Sequence, residues 1–499
     1  MTTRAAQALG VEIAVRTMFD APTIAGMARV VSEAKQGGAI PPLVRVPREG
    51  HLPLSFGQEQ LWFLSQLDPE SPFYNIPLGL RLRGALDAAR LERSIDEVVR
   101  RHEILRTTYR AVEGKPAAVI HDEMKVTLPL VDLSSEPESQ QEESVRRASA
   151  AELSPPFDLA KGPVLRVKLL RLAADHHVLL AVMHHIAVDA WTTQVLVEEV
   201  GAVYQALGKD EASPLAPLPI QYVDYAAWQR SYLQGETLER ELSYWLGALE
   251  GAPTTLELPT DRPRPAVQTF RGSHALRRLS PSLNDATHAF CRAEGVTPYM
   301  VSLAIFGVLL WRYTGQDDVL VGTSRADRRH RETEPLVGYF LSQLVLRVRL
   351  SGDPTFRELL ARVRETTLSA YAHRDLPFER IATALRPERD LSRSPIFQVM
   401  VDNPQAARFP EVSGLTIEGL GTPVETSRFD VTFAVVDRDG LVATAEYNSD
   451  LFDHATAERM LGHFETLLAG AMATPDVGVG DMEMMTESEL AALSGFSAA

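Results

Sequence analysis

Apolar and polar positions alternate between two periods along most of this chain. Val178 to Met183 is an unbroken apolar run of strand length, the pattern of a strand buried on both faces. Beyond it Leu196, Val200, Val203 and Leu207 keep helical spacing. Ala88 to Arg101 reads as an amphipathic helix, residues 116–131 as strands, and 136–152 as a charged helix. Val164 to Leu172 reads as a further strand. A helix is predicted over 240–250 and one long helix over 285–313. Val319 to Thr323 and Leu344 to Leu350 read as strands, and Thr355 to His373 as a helix. Phe397 to Val401, Phe429 to Val436 and Leu441 to Tyr447 read as strands before a last helix over 455–471. So long an alternation exceeds one ordinary core, which predicts two α/β lobes. A site between lobes is the arrangement this favours.

The ends follow another pattern. Leu9-Gly10-Val11-Glu12-Ile13 suggests a helix that stops at Gly10. Ala21-Pro22-Thr23 opens a second helix with Thr23 as N-cap, and Ile24, Met27, Ala28 and Val31 share one face. Two short helices bury too little surface on their own, so residues 1–34 are expected to be a fragment of a small helical domain. Residues 35–50 carry Gly and Pro with little periodicity and read as a linker. Met484 to Ala499 reads as a polar tail.

Composition narrows the class. The 499 residues are 45% hydrophobic and 23% charged, ordinary for a globular protein. A prior of roughly 150 residues per domain allows two to four domains. The formal net charge of −16 argues against non-specific nucleic-acid binding, which needs a basic face. A single cysteine, Cys291, excludes an internal disulfide and fits a reducing compartment. Met-Thr-Thr-Arg has no apolar signal core, and the apolar stretch Tyr299 to Trp311 is too short to span a bilayer. A soluble cytoplasmic protein is expected.

The candidate chemistry sits after the apolar run, at His184-His185-Ile186-Ala187-Val188-Asp189-Ala190-Trp191. Two imidazoles and a carboxylate there lie on the turn from a strand into a helix, where side chains leave a rigid scaffold. Three readings compete. One is a satisfied structural pair. Another is a metal site, which adjacent strand residues pointing to opposite faces disfavour. The third is a general-base histidine with the Asp holding the loop, since the unperturbed imidazole pKa is near neutral. His176-His177 reads as a loop pair with no role.

From about residue 51 to 485 the chain resembles the condensation domains of non-ribosomal peptide synthetases. The resemblance rests on seven motifs in the family's order. Ser55-Phe56-Gly57-Gln58-Glu59-Gln60-Leu61-Trp62 resembles the first, and Arg101-His102-Glu103-Ile104-Leu105-Arg106-Thr107 the second. His184 to Asp189 resembles the active-site motif His-His-x3-Asp-Gly, and Tyr222-Val223-Asp224-Tyr225-Ala226-Ala227-Trp228-Gln229 the fourth. Val337-Gly338-Tyr339-Phe340 resembles the start of the fifth, His373 to Glu379 the sixth, and Arg389 to Gln398 the seventh. Residues 1–34 resemble the C-terminal helices of a peptidyl carrier protein, without its phosphopantetheine serine. Residues 485–499 resemble the start of a linker to an adenylation domain.

The resemblance implies two chloramphenicol-acetyltransferase-like lobes, 51–225 and 226–484, forming a V-shaped pseudo-dimer with a central tunnel. It implies amide formation: an acceptor amine attacks a donor thioester, both on phosphopantetheine arms of partner carrier proteins. No intrinsic cofactor and no metal is expected, and the other implied partner is a downstream adenylation domain. His185 would be the catalytic residue, as base or as amine-positioning group. His184 would be structural. Asp189 would form a salt bridge with Arg328, or failing that Arg325. Trp62, Trp191 and Trp228 are assigned no substrate role. Two departures stand out along the expected tunnel. Ala190 replaces the family's Gly beside Trp191, which would matter if φ were positive or an arm passed close. Ser342 replaces an amide side chain in the fifth motif. The alternatives are a non-catalytic docking module, an epimerisation domain, a heterocyclisation domain and a free acyltransferase using coenzyme A.

Overall fold

The computed structural model describes residues 13, 16–33, 41–385, 390–404, 408–421, 426–437, 440–486 and 489–491. The expected helix end at Gly10, Arg389 of the seventh motif, and Glu487 and Ser488 of the tail lie outside them. In chain order the strands are β1 (Asn75–Gly84), β2 (Thr107–Val112), β3 (Lys115–Ile120), β4 (Leu130–Asp132), β5 (Leu165–Ala173) and β6 (His176–His184). Then come β7 (Gly272–Arg278), β8 (Asp318–Ala326), β9 (Leu341–Arg349), β10 (Val399–Asp402), β11 (Leu415–Gly419), β12 (Val431–Asp437) and β13 (Leu441–Asn448).

Two mixed sheets carry the architecture. The first runs β11-β1-β6-β5-β4 and the second β7-β13-β12-β10-β8-β9, with β2-β3 as a separate hairpin. β1 escaped the sequence reading, although its Leu80 and Leu82 alternate with Arg81 and Arg83 and enter the core. β11 comes from far along the chain and closes the edge of the first sheet against β1, from Leu80↔Gly419 to Gly84↔Leu415. The crossing is tight: a Cβ on Gly84, whose φ is +123°, would lie 2.0 Å from the Gly414 carbonyl oxygen. Glycine is required there for φ and for space.

Each half has its own apolar core. The long helix predicted over 285–313 is two helices, Pro281–Glu294 and Pro298–Thr314, bent by 105°. Gly295 ends the first in the left-handed region (φ 62°), Thr297 caps the second through Met300 N–H, and Pro298 opens it. The second helix is buried along Tyr299 to Leu310, and Phe306 stacks between Phe433 and Phe464 in the second core. The helix Tyr222–Tyr232 runs through the expected boundary at 225/226. Its Ala226 and Trp228, together with Leu336, Val337, Tyr339 and Phe340, join the first core although they lie beyond that boundary. His176 and His177 are not in a loop: they begin β6, and His177 is buried.

The stretch read as a linker is held in place from Pro41 on. Arg48 grips Asp224 through both terminal guanidinium nitrogens, at 2.7 and 3.0 Å, and donates from Nε to Glu103 at 2.9 Å. The Trp228 indole donates to the Pro41 carbonyl at 2.8 Å. No single helix among the described residues is long and apolar enough to cross a membrane.

Candidate active site

β6 stops at His184 because the backbone turns on itself. Ala187 N–H donates back to His184 O at 3.0 Å and Val188 N–H to His185 O at 3.3 Å. Asp189 then caps the helix Ala190–Leu207, its Oδ1 accepting Thr192 N–H at 2.8 Å. Adjacent residues at a strand end face opposite ways, and the two imidazoles meet different surroundings.

His184 is buried, with its ring near Phe157 and Tyr74. Its Nδ1 accepts Ile186 N–H at 3.1 Å, so the proton of the neutral ring sits on Nε2. Burial first, then the charges of His185 and Arg166, pushes its pKa down to about 3. His185 is half-buried, and its backbone N–H donates to Tyr74 O at 2.8 Å. Its Nδ1 lies 2.7 Å from Val188 O. A carbonyl only accepts, so Nδ1 carries the proton and Nε2 keeps its lone pair. Burial lowers this pKa too, against the opposing Val188 bond and Asp189. The result is a neutral imidazole of fixed tautomer, able to accept a proton at one atom.

The motifs converge on this turn. Ser55 caps the helix Phe56–Leu67 in a reciprocal box with Gln58. Gln58 Nε2 donates to Ile186 O and to the Tyr109 hydroxyl, both at 3.1 Å. The Tyr222 hydroxyl donates to Tyr339 O at 2.6 Å, which makes Ser55 Oγ the donor in its 2.8 Å bond to that hydroxyl. Tyr339 meets the His185 ring edge-on, with centroids 5.0 Å apart at 89°. Gly57 makes room, since a Cβ there would lie 2.5 Å from the Tyr339 ring. His102 is buried in the same layer, its Nε2 donating to Glu199 at 2.7 Å while Nδ1 takes Val337 N–H at 3.4 Å.

Asp189 points into the interior. It is 1% exposed, and its Oδ2 accepts Phe340 N–H at 3.0 Å. Arg328 Nη2 reaches its Oδ1 at 3.3 Å and also donates to Thr192 Oγ1. Arg328 further donates to Thr333 O and Leu336 O, and its guanidinium lies 4.1 Å from the Phe340 ring centroid. Arg325, the other candidate, instead sits 4.3 Å over the Tyr371 ring. Ala190 is exposed, begins the helix and is not among the residues of positive φ, so backbone strain does not arise there. Trp191 is 39% exposed and donates to Glu334 O at 3.0 Å, whereas Trp228 is buried and stacks on Tyr232. Ser342 Oγ donates to Arg374 O at 3.4 Å beside a polar cavity. Sequence reasoning passed over Tyr339 and Gln58 as individual actors, though both stood inside quoted motifs. Among the described residues no group of three or more His, Cys, Asp or Glu side chains could hold a metal ion.

The family model for the condensation domain matches residues 48–494. This chain belongs to the condensation-domain family of non-ribosomal peptide synthetases. The family's reaction is amide formation, an acyl transfer, on two chloramphenicol-acetyltransferase-like lobes. The domain is 44% identical to part of a linear gramicidin synthase of Brevibacillus parabrevis, over 97% of this chain and 6% of that protein. It is 41% identical to part of chondramide synthase of Chondromyces crocatus, over 89% of this chain and 11% of that protein. The condensation domain thus spans a small share of such relatives. The X-domain from teicoplanin biosynthesis, solved in complex with OxyB, matches with a TM-score of 0.81 and 31% identity, over 90% of this chain and 99% of that one. The first condensation domain of the calcium-dependent antibiotic synthetase, at 20% identity and a TM-score of 0.71, agrees in fold.

Proposed function

We propose that this condensation domain forms the peptide bond between a donor aminoacyl or peptidyl thioester and an acceptor aminoacyl amine, each on the phosphopantetheine arm of a carrier protein. The observation that carries the reading is the state of His185: neutral, its Nδ1 proton locked on Val188 O, its Nε2 free to accept. The acceptor nitrogen attacks the thioester carbon. A C–N bond forms, the C–S bond breaks, and the proton leaving nitrogen passes through Nε2 to the departing thiolate. Holding both tethered reactants in register removes much of the entropic barrier. General-base assistance contributes typically about 10² to 10⁴-fold.

Asp189, Arg328 and His184 support the turn and touch no substrate. Upstream donor and downstream acceptor carriers are the partners, with an adenylation domain beyond residue 485. Residues 1–34 are read as the end of a carrier, as their resemblance implies. Arg16 and Asp20 reach the helix Phe356–Ala372, where Asp20 meets Arg364 and Arg16 meets Glu365, both at 2.9 Å.

A second reading, a docking module without catalysis, is favoured by the likeness to the X-domain that was solved with OxyB. Mixing donor-loaded and acceptor-loaded carriers with the protein separates the two. The condensation reading expects dipeptide on the acceptor carrier by mass spectrometry, strongly reduced in His185→Ala. No product from several pairs, with carriers still bound, would favour the docking module.

A further inference from the structure

Arg328, the partner of Asp189, is bracketed on both sides along its own chain. It follows β8 in the run Asp327-Arg328-Arg329. Arg328 reaches Asp189, while its two neighbours reach the sixth motif. Asp327 Oδ1 accepts from Arg374 Nε at 3.2 Å, and Arg329 Nη2 meets Asp375 Oδ1 at 2.7 Å. Two consecutive residues of that motif, with the charges reversed, thus clasp the residues before and after Arg328. None of the four side chains is more than 14% exposed. The Tyr232 hydroxyl, from the first core, adds a bond to Asp375 at 3.4 Å. The backbone follows the same route: Asp327 N–H donates to Phe340 O at 2.8 Å, and Phe340 N–H donates to Asp189.

A long guanidinium aims only as well as its backbone is held, and a site keeps its geometry when the residues behind it are locked. The bonds of Arg328 to Thr333 O and Leu336 O orient it within its own connection, between β8 and β9. The bracket ties that connection to a separate segment, the one after the helix Phe356–Ala372. Its four charges offset one another, and removing one leaves its partner uncompensated.

We propose that Asp375 and Arg374 are positioning residues for the condensation reaction, aiming Arg328 at Asp189 and so setting the charge that the turn presents to His185. They act through Arg328. The inference rests on the reading of His185 as proton acceptor and deepens it. The charged and titratable groups around His185 are Asp189 and His184 on its own turn, with Tyr74, Tyr339 and Arg428 from other segments. Among them Asp189 favours the imidazolium. Arg328 offsets that carboxylate at 3.3 Å. When Arg328 loses its aim, Asp189 pulls harder and His185 takes up its proton at higher pH.

The readout is the His185 ring in the full chain, titrated by NMR after histidine-selective labelling and assigned with His185→Ala. The sign of the shift decides. Asp375→Asn removes a negative charge, which acting directly on His185 would lower the titration midpoint. Acting through Arg328 it raises the midpoint, by about half a pH unit or more. The acid limb of dipeptide formation should move the same way, lowering the rate about threefold along that limb. Asp375→Glu, which keeps the pair, should lie close to the parent. Arg329→Lys keeps the charge and loosens the bracket. It covers the case in which Asp375→Asn does not melt like the parent, and should shift the midpoint upwards too. An unchanged or lowered midpoint, or an equal rise in Asp375→Glu, would overturn the assignment. A raised midpoint in a protein whose parent forms no dipeptide would overturn the condensation reading alone.

Discussion

His184 and His185 are neighbours at the end of one strand, yet the two sides of that strand make them different reagents. On one side, His184 lies among Phe157 and Tyr74 and spends Nδ1 on Ile186 N–H. On the other, His185 spends its Nδ1 proton on Val188 O and faces Tyr339. Both are neutral through burial. What separates them is the direction of a single hydrogen bond: an accepted N–H consumes the lone pair, a donated one frees the other nitrogen. Burial alone does not make a base; burial with the correct tautomer does.

The sharpest way to break this comparison is His185→Ala. Its rate of dipeptide formation should fall by about 10² to 10⁴-fold with melting unchanged, if proton acceptance is its main contribution. Rate and melting on the same preparation decide it. A well-folded variant of full activity would remove His185 from the chemistry and leave positioning of the two arms as the whole effect. Because the His185 pKa is lowered, the acid limb of the rate should lie below the ordinary histidine range near 6.5.

The turn that holds both histidines depends on Asp189, which gives the next largest effect. Asp189→Ala removes the helix cap, the acceptor for Phe340 N–H and the partner of Arg328, whose side chain is 5% exposed. Leaving a buried charge without its partner costs about 3–5 kcal/mol. Urea unfolding should show that loss, with a smaller one in Asp189→Asn. An unchanged midpoint would sink the idea that this pair fixes the turn.

These features differ in how far the sequence could disclose them. The His-His-x3-Asp spacing and the strand before it were legible because both are local. So was Arg328 as a candidate for Asp189, on the resemblance. The split of the 285–313 helix was also written locally, in Gly295, Thr297 and Pro298, but the apolar period running through them masked it. β1 alternates visibly and was overlooked. The pairing of β11 with β1 was not legible, since it joins segments more than 300 residues apart and nothing local specifies the register. The tautomer of His185 was equally hidden, because it depends on where the Val188 carbonyl turns.

The structural side of the comparison is tested by pH. His184 stays neutral in the folded chain down to about pH 3, while an unfolded histidine takes up its proton near 6.5. Between those values the unfolded state binds one more proton. Stability therefore falls as pH drops through 6.5 towards 3, by up to about 1.4 kcal/mol per pH unit from this group. His184→Asn keeps an acceptor for Ile186 N–H and removes the titration. Its urea midpoint should decline less steeply than the parent's between pH 6.5 and 4.5. Parallel curves would mean that His184 is solvated rather than buried neutral.

Ala190→Gly should have the smallest effect, and it bears on the one residue where the motif departs beside both histidines. The side chain is exposed, φ is negative and the residue opens a helix. Glycine there relieves no strain, and its larger unfolded-state entropy costs at most about 1 kcal/mol. The rate of dipeptide formation is expected to stay within threefold of the parent. The other outcome is the informative one. A rate rising tenfold or more, with melting unchanged, would locate the passage of a pantetheine arm over the start of this helix. The methyl group would then narrow the approach to His185 without touching its tautomer, and the reactivity of this turn would be governed by access as much as by the hydrogen bond that orients the ring.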